Sequence, residues 1–125
     1  MRTDVKEKWV KALRSKKYRQ GGGYLHQNDS YCCLGVLCEI AVEEGIIKRK
    51  ELDDYNPIEG AVYEYGIAYY DSGIYTLPKS VMEWAGLTST SPRVVKEGQM
   101  RDLPALNDSG NYTFDDIADL IEESL

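Results

Sequence analysis

The residues able to do chemistry gather between Tyr18 and Gly45, in YRQGGGYLHQNDSYCCLGVLCEIAVEEG, which holds a triple glycine, the only histidine and all three cysteines. A metal site built from His26, Cys32, Cys33 and Cys38 would need four converging ligands, and no distant second pair of ligands follows them. Adjacent cysteines on a helix diverge by about 100°, which makes them poor co-ligands. No metal and no cofactor are therefore expected. A cysteine nucleophile has a better local setting, since Cys32 or Cys33 falls two or three residues after a helix start, where the helix dipole favours a thiolate. Its base would have to be His26, with a third group to orient the ring, and that group is not evident; a small cysteine-dependent hydrolase stays open as a minor reading with no catalytic residue assigned. Carboxylate pairs such as Asp53 with Asp54 or Asp115 with Asp116 are expected by chance among nineteen acids in the last 105 residues.

Recognition without catalysis suits the same stretch better. Arg14, Lys17 and Arg19 supply cations, Gln20 a carboxamide, Tyr24 and His26 rings, and Gly21 to Gly23 an approachable backbone. Together these six side chains form the expected ligand-binding set for a small nucleotide-like molecule. The glycines match neither the phosphate-loop nor the dinucleotide pattern, because no Gly-Lys-Ser/Thr follows them and no apolar strand precedes them.

Charge is distributed unevenly. Residues 1 to 20 hold eight Lys or Arg against two acids, while the other 105 hold seven against nineteen, for a net charge of −6. A basic edge of Lys11, Arg14, Lys16, Lys17 and Arg19 thus leads into the glycines, and the acidic remainder argues against binding along duplex nucleic acid. An odd number of cysteines fits a reducing compartment, and neither a signal-like apolar segment at the start nor a run of about 18 apolar residues is visible, so a cytoplasmic protein without membrane contact is expected.

These residues must be positioned by a single α+β domain spanning residues 1–125. An amphipathic helix is expected over residues 4–16, opened by a capping box of Asp4 and Glu7 and buried through Val5, Trp9, Ala12 and Leu13. The segment 31–44 is apolar around most of its circumference and reads as the central buried helix, capped by Asp29 or Ser30 and stopped by Gly45. Gly35 inside it implies that another element crosses closely. Alternating Tyr, Val and Ile on either side of Asp71-Ser72-Gly73 predict a Tyr-rich hairpin over residues 61–77, part of a small antiparallel sheet on which the N- and C-terminal helices pack. Pro78 opens a short helix ending at Gly86, residues 93–96 read as one isolated strand, and 103–110 as a turn. A last helix starts at Thr113 with Asp116 as its capping partner, buries Phe114, Ile117, Ala118 and Ile121, and turns Asp115, Asp119, Glu122 and Glu123 to solvent.

The pieces KWVKALRSKKYRQGGGYL, YCCLGVLCEIA, LPKSVMEWAGL and ALNDSGNYTFDDIADLIE resemble a set of small, mostly uncharacterised bacteriophage proteins, over about half the chain. The resemblance implies a viral protein acting in the host bacterial cytoplasm and carries no catalytic residue. By class, such a protein acts against host defence: by sequestering a nucleotide-derived signal, alone or as a homo-oligomer, or alternatively by binding a host defence protein through its acidic surface.

Overall fold

Helix α1 (Thr3–Arg14) buries Val5, Trp9 and Leu13 of the expected stripe, with Val10 buried where Ala12 is only partly so, and lies along both α2 (Cys33–Glu43) and α5 (Phe114–Ser124). The computed structural model describes residues 1–51, 68–70 and 75–125. Between α1 and α2 run three two-residue strands, β1 (Arg19–Gln20), β2 (His26–Gln27) and β3 (Ser30–Tyr31). The order is β1-β3-β2, with β1 parallel and β2 antiparallel to β3. After α2, β4 (Arg49–Glu51) pairs antiparallel with β5 (Ala68–Tyr70). Then come α3 (Lys79–Ala85), the antiparallel pair β6 (Arg93–Lys96) and β7 (Gln99–Asp102), α4 (Leu103–Asp108) and α5.

The architecture is the expected α+β fold, with α2 at its centre: Cys33 to Ala41 are all buried. The Trp9 indole N–H donates to the Cys33 carbonyl at 2.9 Å, tying the first helix to the start of the second. Gly35 has the crossing its position implies. A Cβ there would sit 1.8 Å from the Leu25 carbonyl oxygen, so only glycine lets the chain before β2 pass over the helix.

Several local expectations need correction. Asp4 does not cap α1; the helix starts after Arg2, whose N–H is held by the Ala85 carbonyl, and the Asp4 carboxylate instead accepts from the Arg2 guanidinium. Neither Asp29 nor Ser30 caps α2. Pairing of His26 with Tyr31 and Gln27 with Ser30 draws that segment into a hairpin, so the cap falls to Cys32, whose sulfur accepts from the Gly35 N–H at 3.4 Å. The expected turn at 103–110 is mostly helix α4, with Pro104 in its first turn, where no N–H is needed. Strand 93–96 is not isolated, because Glu97 (φ 54°) and Gly98 (φ 76°) form a two-residue turn that brings back 99–102 as its partner. Glu in place of Asn or Asp hid that turn. Of the Tyr-rich hairpin, 61–67 and 71–74 lie outside the described residues; 68–70 is a strand paired with 49–51, and 75–77 is not in a strand.

The final helix follows its sequence closely. Thr113 and Asp116 form the reciprocal capping box, and Phe114, Ile117, Ala118 and Ile121 are buried, joined by Leu120.

Candidate functional site

Three segments far apart in sequence, Gln20–Gly23, Cys32–Cys33 and Asn107–Asp108, converge on one buried side chain. Asn107, at the end of α4, accepts from the Gln20 carboxamide (3.1 Å) and the Cys33 N–H (3.3 Å), and donates to the Gly21 carbonyl (2.8 Å) and the Asp108 carboxylate (3.0 Å). Both ends of its amide are thereby satisfied, which fixes the side chain in one orientation. Asp108 extends the knot by accepting from the Gly23 N–H at 3.2 Å, and Gln20 also donates to the Tyr112 carbonyl at 2.8 Å. The glycine turn lies too close for side chains: a Cβ on Gly21 would meet the Ser30 hydroxyl at 2.4 Å, and one on Gly22 the Asp108 carboxylate at 3.0 Å.

Outside this knot is a polar groove of about 370 Å³, walled by the Gln20–Gly22 turn on one side and by Asn107, Asp108 and the 110–113 segment on the other. Gln20 also borders a second groove of about 300 Å³, where Arg19 faces Gln27, Asn28, Asp29 and Ser30. Arg19 has no carboxylate partner among the described residues. The pair of grooves therefore offers carboxamide and carboxylate groups next to one available guanidinium.

The six side chains expected to bind ligand do not form one site. Arg14 is bound to Asp119 at 2.5 Å and Glu122 at 2.9 Å on α5, and Lys17 pairs with Glu43 of α2 at 3.7 Å while lying over the Tyr18 ring. Lys16 pairs with Asp115 and Lys8 with Glu44. Three of the five cations of the basic edge thus pair across the surface with α2 and α5, and three of the four carboxylates on the outer face of α5 are their partners. Arg14 in turn holds the Glu122 carboxyl below the usual range. Tyr24 stacks on Tyr75 with ring centres 5.1 Å apart. His26 is buried, stacked on Tyr31 at 4.1 Å, and its Nε2 contacts the Asn28 carbonyl at 2.5 Å, so it offers no surface to a ligand. Only Arg19 and Gln20 of the six border the paired grooves.

The cysteines are enclosed. Burial pushes the Cys32 thiol up to about 11 and the Cys33 thiol well above its ordinary value, so both stay protonated near neutrality despite the helix start. All three are free thiols, and among the described residues no group of three His, Cys, Asp or Glu side chains is arranged to hold a metal ion. Nor is any helix there long and apolar enough to cross a membrane.

Two features escaped the sequence reading. Asn107 looked like one more turn residue in LNDSG, and nothing local distinguishes it. Glu39 did carry a signal, as the single charge inside the apolar run from Cys32 to Val42. It is 7% exposed, accepts from the Tyr70 hydroxyl at 3.0 Å and pairs with Arg49. Burial, with Glu39 nearby, pushes Tyr31 up to about 12 and Tyr70 higher still. This group ties β4 and β5 to the central helix.

A family profile described as a domain of unknown function (DUF8296) matches residues 1–125. No curated protein and no solved structure matches the chain.

Proposed function

As the chain belongs over its whole length to a family whose function is not defined, we propose from the site itself that it is a non-enzymatic binding protein for a nucleotide-derived signal, acting for a phage against host defence. The observation that carries this reading is the paired grooves about Gln20. Carboxamide and carboxylate groups at Asn111 and Asp108 suit the edge of a base and sugar hydroxyls, and Arg19 beside them suits a phosphate. One guanidinium beside the Asp29 and Asp108 carboxylates matches a ligand of low charge better than a polyphosphate. The resemblance to phage proteins supplies the biological setting, and only that.

The enzyme reading receives less support, because burial keeps the Cys32 thiol protonated and His26 is enclosed. Inhibition of a host protein through an acidic surface receives less support too, because Arg14 and Lys16 already pair with three of the α5 carboxylates.

The test is a melting-temperature screen of the purified protein against cyclic nucleotides and ADP-ribose derivatives. A ligand present at about 100 times its Kd adds about 2.7 kcal/mol of stability, an easily read shift. Arg19→Ala and Asn111→Ala should reduce the shift while leaving the unliganded melting temperature in place. Absence of a shift with every compound would end the proposal.

A further inference from the structure

The hairpin β6–β7 leaves one strand edge open. Leu103 N–H donates to the Pro92 carbonyl at 2.9 Å, which fixes the alternation: 94 with 101 and 96 with 99 are the hydrogen-bonded pairs, while Val95 and Met100 direct their backbone groups outward. On the β6 side that outward N–H is satisfied, since Val95 donates to the Ser124 hydroxyl at 2.9 Å. On the β7 side the outward groups of Met100 have no partner among the described residues. Val95 and Met100 face each other across the pair and are 47% and 61% exposed, two of the most exposed large apolar side chains described. An open edge carrying an apolar pair is a template for strand addition unless something covers it.

We propose that the occupant is a second copy of the chain, joined antiparallel through β7 about a two-fold axis at Met100. Complementarity of the strand with itself selects this occupant and this register. Centring on Met100 sets its N–H and carbonyl against those of the second copy's Met100, and lines up Val95, Met100 and their two counterparts as one apolar row. Gln99 then lies opposite the second copy's Arg101, so no like charges are directly opposed. Centring on Arg101 instead would oppose two guanidiniums and put Met100 against Asp102. The result is a four-stranded sheet in the order β6-β7-β7-β6. An interface built on one four-residue strand from each copy is small, so the dimer is concentration-dependent and independent of any ligand in the grooves.

Sedimentation velocity between about 10 μM and about 1 mM should show monomer passing into dimer with a dissociation constant in the high micromolar range. Met100→Pro removes the outward N–H and the apolar side chain but no bond to β6, because this residue donates nothing to it, and should weaken association at least about tenfold while the monomer still folds. Met100→Lys places two ammonium groups on the axis and should act likewise. A protein still monomeric at the highest concentration overturns the proposal. So does a dimer that both variants form as well as the parent.

Discussion

Replacing Gly35 by Ala should destabilise this protein, although the same change on an open helix face would stabilise it. In a helix interior Ala is favoured over Gly by about 1 kcal/mol. Here, however, the added methyl would lie 1.8 Å from the Leu25 oxygen, 2.7 Å from its carbonyl carbon and 3.3 Å from its Cα. These are backbone atoms and cannot rotate aside. Restoring ordinary contact means moving the crossing chain by about 1.5 Å, beyond what a packed interior absorbs cheaply. That movement pulls on the Leu25 carbonyl, which accepts the Cys32 N–H at 3.1 Å, and on the fully buried Leu25 side chain. Overpacking costs about 1–3 kcal/mol, and loss of a buried backbone hydrogen bond adds about 1 more. Set against the helix gain, the net loss is about 1–3 kcal/mol, or about 4–12 °C in melting temperature for a chain of this size. Urea and thermal unfolding followed by circular dichroism read it directly. An Ala variant as stable as the parent, or more stable, would refute the close crossing and with it the argument that Gly35 is there for space.

Other perturbations test other links. Asn107→Ala removes four hydrogen bonds and strands the buried Cys33 N–H, so unfolding free energy should fall by about 3 kcal/mol in urea titrations, with the glycine turn gaining amide exchange. Trp9→Phe loses the indole N–H to Cys33 and some core volume; a loss of about 2 kcal/mol is expected. Acid should weaken the fold in a defined window. Arg14 holds Glu122 below the ordinary 4.5, and the Thr113 N–H and hydroxyl hold Asp116 below the ordinary 3.8. Depressed folded values give stability that is present above those ordinary values and lost as pH falls through the lowered ones, so the urea midpoint should hold steady down to about pH 5 and drop below it. At the alkaline end the sign reverses for Cys32. Its folded value of about 11 lies above the ordinary 9.0, so its contribution is complete below pH 9.0 and disappears as pH rises from there towards 11, a loss of about 3 kcal/mol that Cys32→Ser should reduce.

Much of the fold is legible in the chain because it is local. The 3.6-residue periods of α1 and α5, the capping box at Thr113 and the apolar circumference of α2 depend on neighbours within one or two turns, and the structure repeats them. Even Gly35 announced its crossing, since a helix keeps a glycine in its interior at a cost that packing must offset. The shift of the α2 cap to Cys32 and the return of β7 were harder to see. Both follow from pairing with another strand, which local propensity does not encode.

What the tertiary structure alone decided is where charge and polarity end up. As a sequence, the basic edge looked available to an anion, yet its cations at Arg14, Lys16 and Lys17 face carboxylates on α5 and α2, a placement that follows from the packing of α1 on those two helices. His26, which stood out as the single imidazole, is enclosed against Tyr31, while Asn107, which did not stand out at all, joins three distant segments. Composition and spacing set which side chains are present. Only the folding of α4 against the glycine turn set Gln20 into one polar groove with Asn107 and Asp108, because that proximity is created by contacts more than 80 residues apart.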